Sequence, residues 1–486
     1  MKKRYCTNTI IYTFISLLLP LYSYAGYKIT TLDTITGGGI YAPNIAIDSN
    51  NKIHISYDYG SNLKYVTNTS GVWTYSMVEK DITVYWNSIA IDKNNKIHIS
   101  YNDLGALKYA TNESETWVYS AIDGNYLATN VGKYNSIAID SNNKVHISYF
   151  DGSGAGYLKY ITNASGFWVS STIDTIGEVN GSIGGYTSIA IDSNDKAHIS
   201  YYYFSHQSSP PVYGNLKYAT NTSGVWICST IDNSSWSGKN TSIAIDNNNK
   251  VHISYCDGNA FLSYATNVSG VWICSTVDST INAGSTLNVG STSIGVDNNN
   301  KVHISYVAQR GGLKCATNLT GTWQYYTIAT EGYSGSSIAI DSNNKIHITT
   351  GGKLRYIIVD NSRKSSVLSW TGEADYTLDG VNPDVVNRGS NVTFRVKWTD
   401  ADGDAPDSGY PKVHIKKGTS EIGTYTMQYV SGDNVTGAIY SYTLAFASYG
   451  GEYTYYFSGI DEWHDVAVNT AEKTFTVVDT NGIITG

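Results

Sequence analysis

One phrase of thirteen residues, Ile45-Ala-Ile-Asp-Ser-Asn-Asn-Lys-Ile-His-Ile-Ser-Tyr57, returns in near copies that start at Ile89, Ile137, Ile189, Ile243, Ile294 and Ile338, spaced 44 to 54 residues apart. Each copy holds two short alternating apolar segments around a polar turn, with no helical period. A repeat of that length made of strands is a unit that cannot bury its own faces and has to stack with its neighbours around an axis. The sequence therefore predicts an all-β chain that begins with a seven-bladed β-propeller. Such a ring carries many unrelated activities, so function has to be read from individual side chains.

Each copy is expected to supply four strands, as at 242–246, 250–255, 261–265 and 272–277. The first two are joined by Asp-x-Asn-Asn/Asp-Lys, whose short polar side chains bond the local backbone and accept left-handed conformations. The last two are joined by Thr-Asn-x-Ser/Thr-Gly or a close variant. The seventh copy lacks its Trp-bearing fourth strand, while Tyr27-Lys-Ile-Thr-Thr-Leu32-Asp33 matches Trp226-Ile-Cys-Ser-Thr-Ile231-Asp232 position for position. The N-terminal strand is thus predicted to close the ring and remove two sheet edges that would invite aggregation. Beyond Asp360 the repeat stops. Six or seven short strands between about 368 and 478, separated by Gly- and Asp-rich turns, predict an Ig-like β-sandwich. The expected organisation is a signal peptide at 1–25, the propeller at 26–360, the Ig-like domain at 361–480 and a tail at 481–486.

The opening segment has Lys2, Lys3 and Arg4, an apolar run from Ile10 to Leu21, and Ser23-Tyr24-Ala25 ahead of Gly26, the pattern of a secretory signal cleaved after Ala25. Cys6 precedes that cut, so the lipoprotein pattern of a cysteine at the new N-terminus is missing. Without its three cations the chain has 29 Lys plus Arg against 40 Asp plus Glu, a net charge of −11. That balance argues against nucleic acid as a partner. No later apolar run approaches the roughly 20 residues that span a bilayer. A secreted or cell-surface monomer is expected, with an extracellular glycan or a surface protein as its partner. Cys228, Cys256, Cys274 and Cys315 replace ordinary repeat residues, which favours buried free thiols over zinc ligands or a disulfide framework.

The blade text, with its Ile-Ala-Ile-Asp, His-Ile-Ser-Tyr, Leu-Lys-Tyr-Ala-Thr and a Trp six residues before an Asp, resembles the propeller repeats of uncharacterised secreted and cell-surface proteins of bacteria and archaea. Leu368-Ser-Trp-Thr-Gly372, Trp398-Thr-Asp-Ala-Asp-Gly-Asp-Ala-Pro406 and Tyr453-Thr-Tyr-Tyr-Phe457 resemble the Ig-like modules appended to such proteins. The resemblance implies a location more than an activity. The Ser-x-Asp-x-Gly-x-x-Trp box of sialidases is absent from the hairpins.

His54, His98, His146, His198, His252, His303 and His347 share one position on the second strand, away from the axis, and are read as buried hydrogen-bonding groups rather than metal ligands. The aspartates at 48, 92, 140, 192, 246, 297 and 341 are assigned to turn chemistry, and Trp73, Trp117, Trp168, Trp226, Trp272 and Trp323 to packing between blades. Variation is confined to the other face, where the second-to-third loops and the fourth-to-first connections gather. There Trp86, Tyr126, Tyr134, Tyr186, Tyr202, Tyr203, His206, Trp236, Arg310 and Tyr333 form the candidate ligand-binding set. Aromatic faces beside Asn and Ser groups suit a carbohydrate, and a protein ligand fits as well. No catalytic residue is assigned. The alternative is a secreted polysaccharide lyase or glycoside hydrolase on the same scaffold, with His206, Arg310 and tyrosines as its groups. The carboxylates Asp81, Glu178 and Glu331 do not form the pair a hydrolase needs. In the second domain, Asp400, Asp402, Asp404 and Asp407 offer hard oxygen donors, for which calcium is the candidate cofactor.

Overall fold

Every Asp-x-Asn-Asn-Lys turn is built from the same two devices. The Asp carboxylate accepts from the backbone N–H groups two and four residues on, as Asp48 Oδ1 does from Asn50 and Lys52 at 2.9 and 2.8 Å. The residue three positions after each Asp, Asn51, Asn95, Asn143, Asp195, Asn249, Asn300 or Asn344, is left-handed, with φ between 57° and 63°. Among non-glycine residues Asn and Asp adopt this conformation most readily, which explains why the repeat keeps them there. The computed structural model describes residues 26–33, 40, 43–124, 130–153, 156–175, 185–204, 214–234, 236–280, 289–308, 312–330, 335–376, 378–447, 450–467 and 470–479. The predicted signal segment, the tail, and Tyr126, His206, Arg310 and Tyr333 lie outside the described residues. Contacts divide the chain into two compact units, Tyr27–Asn361 and a second that runs from Ser362.

The first unit is all-β and contains, among the described residues, seven four-stranded antiparallel sheets of the β-propeller kind. Six are consecutive in sequence. The remaining one joins Ser336–Ile340, Ile346–Thr350 and Leu354–Asp360 to the strand Gly26–Asp33, which lies beside Leu354–Asp360. Sheets are numbered 1 to 7 in the order in which their copies of the thirteen-residue phrase occur, so this composite one is sheet 7. Left-handed Asn or Asp side chains stitch each turn to its neighbour: Asn95 Oδ1 accepts from Ser49 N, Asn143 from Lys93 N, Asp195 from Ser141 N, Asn249 from Ser193 N, Asn300 from Asn247 N, Asn344 from Asn298 N, and Asn51 from Ser342 N, at 2.8–3.2 Å. The last bond returns to the first sheet. A second circuit runs along the first strands, where Ser88, Ser136, Ser188, Ser242, Ser293 and Ser337 hydroxyls accept from the leading Ile N–H of the next sheet at 3.1–3.3 Å.

The repeated polar residues are consumed in this framework. In six sheets a Tyr hydroxyl lies 2.5–2.7 Å from the His Nδ1, and the His Nε2 faces the turn Asp at 3.2–3.7 Å in all seven. A carboxylate only accepts, so the ring proton sits on Nε2 and Nδ1 takes the tyrosine's hydrogen. The histidines are buried, as the sequence reading expected. Each repeat Trp meets the Tyr of the preceding sheet edge-on, as Trp117 meets Tyr65 with centroids 5.2 Å apart. The last strand carries an Asp or Glu that accepts from the next sheet's Tyr and, at several junctions, its Lys: Tyr306 and Lys314 reach Asp278 at 2.7 and 2.9 Å. The four cysteines among the described residues are free, but Cys274 is exposed on an outer strand and Cys228 only half-buried, which corrects the expectation of burial for those two thiols.

The second unit packs two five-stranded sheets face to face. One contains Val367–Ser369, Val381–Asn382, Asn391–Thr399, Gln428–Ser431 and Ala438–Ala445; the other contains Val385–Asn387, Lys412–Lys417, Ser420–Thr426, Gly451–Ser458 and Lys473–Val478. Strict alternation along Asn391–Thr399 turns Val392, Phe394, Val396 and Trp398 inward, against Val413, Tyr455, Phe457 and Phe475 of the other sheet. The unit has ten strands where six or seven were expected; those at 367–369, 381–382 and 385–387 are too short to show alternation.

Candidate functional site

The first strand of each sheet begins where a variable connection arrives, and two residues at that start line a cavity of about 470 Å³ at the ring's axis. Its lining takes Pro43 and Asn44 from sheet 1, Trp86 and Asn87 from sheet 2, Tyr134 and Asn135 from sheet 3, Tyr186 and Thr187 from sheet 4, Asn240 and Thr241 from sheet 5, Ser291 and Thr292 from sheet 6, and Gly335 and Ser336 from sheet 7. The second member of most pairs is fixed by hydrogen bonds. Ser56 Oγ donates to Asn87 Oδ1 and Ser100 Oγ to Asn135 Oδ1, both at 2.6 Å, while Asn135 Nδ2 also donates to the Trp86 carbonyl at 2.5 Å. Thr187 donates to the Tyr134 carbonyl and Thr292 to the Asn240 carbonyl at 2.9 and 2.7 Å.

The first member differs from sheet to sheet, and here the ladder bulges. Register is interrupted between Tyr85 and Ser88, Lys133 and Ser136, Gly185 and Ser188, and Lys239 and Ser242. Trp86, Tyr134 and Asn240 are left-handed, with φ of 49°, 52° and 52°. A bulge re-aims side chains, and an aromatic residue at positive φ is strained, a state that clusters at functional sites.

The aromatic side chains join into one run. Ring centroids are 4.7 Å apart for Trp86 and Tyr134 and again for Tyr134 and Tyr186, then 6.3 Å to Tyr202, 6.3 Å to Phe204 and 5.6 Å to Trp236. Trp86, Tyr134, Tyr186, Tyr202 and Trp236 of the candidate set are thus brought together, with Tyr202 fully buried behind the others. Tyr203 points away, with Lys217 Nζ 4.6 Å from its ring centre. Phe204 and the polar ring of Asn and Thr groups were missed in the sequence. The signal of the polar ring was the residue pair immediately before each Ser-Ile of the later six copies, which varies where the repeat does not; Phe204, in a second-to-third loop, has no such position. Burial first, and the Tyr186 hydroxyl second, push the Tyr134 phenol above its ordinary range, and burial does the same to Tyr186. Both remain neutral hydrogen-bonding groups at any ordinary pH.

In the second unit, Asp400, Asp404 and Asp461 each place one carboxylate oxygen within 4.8 Å of the others. Asp402 is exposed at the edge of this group, and the Asp407 carboxylate is not part of it, accepting instead from Ser408 N at 2.7 Å. Asp461 and Asp465 were not anticipated.

No protein-family model and no curated protein matches the chain. Among solved structures it is similar to a protein of unknown function from Dyadobacter fermentans (10% identity over 69% of this chain and 99% of that one, TM-score 0.43). It is also similar to the Aleuria aurantia lectin in complex with Fucα1-6GlcNAc (11%, 61% and 97%, TM-score 0.42) and to the Penicillium chrysogenum α-L-arabinanase complexed with arabinobiose (10%, 59% and 94%, TM-score 0.38). Likeness at this level assigns neither ligand nor activity.

Proposed function

We propose that this is an exported, non-catalytic binding protein whose ligand is a neutral saccharide held at the mouth of a seven-bladed propeller. In this reading the N-terminal strand closes the ring, and an Ig-like sandwich follows as spacer or adhesion module. The seven sheets and the hydrogen-bond circuit that returns from Ser342 to Asn51 support the closed ring. One observation carries the ligand assignment: Trp86, Tyr134 and Tyr186 form an aromatic wall along one arc of the mouth, and Asn, Ser and Thr groups surround it. The C–H faces of a sugar pack on such rings, and its hydroxyls exchange hydrogen bonds with neutral amides and hydroxyls. The cavity is of ordinary small-ligand size.

No charged side chain stands among the described lining residues. A two-carboxylate hydrolase needs an acid and a second carboxylate flanking the bond, and a lyase needs a base within hydrogen-bond reach. The raised phenols of Tyr134 and Tyr186 do not supply that base. Incubation of the mature chain with neutral and acidic oligosaccharides tests the assignment. Retention of neutral glycans without product supports it, whereas bond cleavage, or retention of acidic polymers alone, overturns it.

A further inference from the structure

We infer that the second unit carries a calcium-class divalent cation site formed by Asp400, Asp404 and Asp461, with Asp465 completing its carboxylate shell. The two sheets deliver these groups to one end of the sandwich. Asp400 and Asp404 follow the strand Asn391–Thr399, and Asp461 and Asp465 follow Gly451–Ser458, so the ligands come from segments about sixty residues apart in sequence. Asp400 and Asp461 are fully buried, Asp465 is 3% exposed and Asp404 8%.

What singles this cluster out is the number of oxygens left without a donor. Asp400 Oδ1 accepts from the N–H groups of Asp402 and Asp404, and Asp461 Oδ1 from those of Trp463 and Asp465. Their Oδ2 atoms share one hydroxyl, Ser366 Oγ, at 2.8 and 3.3 Å, and that hydroxyl has a single hydrogen to give. Asp404 Oδ2 is ion-paired with the Arg363 guanidinium. No hydrogen bond reaches the Asp465 carboxylate from the described residues. Four buried carboxylates therefore face one guanidinium, which pairs with Asp404. Buried charge is tolerated when it is paired or bound to metal.

The donor set fixes the class of ion. Every ligand atom is a carboxylate oxygen, with no thiolate or imidazole, which suits a hard cation. Oxygens within 4.8 Å of one another fit around one Ca²⁺, whose bonds of about 2.3–2.6 Å bridge such a span. Mg²⁺ sheds its waters reluctantly and avoids cages built wholly from protein. Arg363 stacks on the Trp463 ring, 4.3 Å from its centre.

The test uses the full mature chain, stripped with a chelator and titrated by calorimetry with CaCl₂ and MgCl₂. Tb³⁺ luminescence excited through tryptophan gives an independent readout on the unmutated protein, since Trp463 borders the cluster and Trp398 Nε1 donates to the Asp404 carbonyl at 3.0 Å. The expected result is one saturable Ca²⁺ per chain, sensitised Tb³⁺ emission quenched by Ca²⁺, and at least about tenfold weaker competition by Mg²⁺. Asp461→Asn should weaken Ca²⁺ by about thirtyfold or more, and Asp407→Asn should leave it within about twofold. Absence of both calcium binding up to about 10 mM and Tb³⁺ emission overturns the site. So does unchanged affinity in an Asp461→Asn chain that is folded by circular dichroism, or an equal loss in Asp407→Asn.

Discussion

Replacing Trp86 by glycine and, separately, by alanine distinguishes a side chain held for a ligand from one held for packing. Trp86 sits at φ 49° with its ring 4.7 Å from Tyr134 and 5.5 Å from Tyr85. Both variants lose those two ring contacts, a loss of about 1–2 kcal/mol for partly exposed aromatics. They differ in the backbone. Alanine retains the left-handed penalty of about 1–2 kcal/mol, whereas glycine escapes it. Glycine in turn gives back about 0.4–1 kcal/mol through its freer unfolded chain. The glycine variant should therefore be more stable than the alanine variant by about 0.5–1 kcal/mol, a shift of about 1–3 °C in a unit of this size. Affinity for the neutral saccharide should fall about tenfold or more in both, the equivalent of one lost stacking face of about 1.4 kcal/mol. Thermal unfolding and glycan titration of the three proteins provide the readouts. If alanine equals or exceeds glycine in stability, the bulge is not strained. Should either variant keep its affinity within about twofold, the ring is not a ligand contact.

Acidification should weaken the first unit. His54, His98, His146, His198, His252 and His347 are held below their ordinary 6.5, by burial first and with only partial relief from the facing Asp. The unfolded chain then binds more protons than the folded one just below 6.5, so stability is intact above that value and drops as pH falls through it; a melting temperature that is flat or rising from pH 7.5 to 5 contradicts this. Lys108→Met removes the cation that pairs with Glu79 and Asp103, which are 8% and 1% exposed, and should cost about 3–5 kcal/mol in denaturant unfolding. Lys96→Met, whose partner Glu115 is exposed, should change nothing measurable; equal effects would refute the role of burial. Starting the chain at residue 34 leaves Leu354–Asp360 as an open edge with the buried Leu354, Ile357 and Val359 beside it, so light scattering should report aggregation, and a soluble protein of unchanged stability would show that Gly26–Asp33 is dispensable.

The repeat was legible because its residues answer to local rules. The left-handed Asn of each turn, the Asp that caps it and the His two residues beyond the turn are set by chemistry within a few positions, so their recurrence exposes the sheets. The pairing of residues 26–33 with sheet 7 was also legible, since a missing fourth strand and an orphan matching strand define each other. What the sequence concealed is convergence. Nothing in the spacing of Trp86, Tyr134 and Tyr186 states that three strand starts meet at one axis, and nothing near Asp400 announces Asp461, which arrives from the opposite sheet. Short strands such as 381–382 stayed hidden because two residues have no period. Asp407 was grouped with the acidic turn by proximity in sequence, but its carboxylate serves the neighbouring Ser408 N–H instead.

Departures from the repeat fall into two kinds, and the difference points to where function lies. In sheet 6, Cys315 stands where five other sheets pair a Tyr with a Ser, and Tyr326 on the adjoining strand faces it; Thr317 then replaces the missing hydroxyl at His303 Nδ1, at 3.0 Å. At the junction of sheets 6 and 7, Ala329 replaces the acceptor Asp and Thr350 replaces the donor Tyr together. The changes at His303 and at Thr350 come with compensating partners, since a buried donor or acceptor left alone is costly, while the buried Tyr326 hydroxyl has no hydrogen-bond partner. The aromatic residues at the mouth pack on one another but answer no hydrogen bond of the repeat framework. Trp86, Tyr134 and Tyr186 stand where other sheets have Asn240, Ser291 or Gly335, and the same Asn, Ser and Thr scaffold supports either kind. A change that framework hydrogen bonds neither require nor answer is one that folding did not impose. The strained φ at two of these three rings is the conformational penalty of keeping them there, and a ligand seated on one arc of the mouth is the reason that accounts for it.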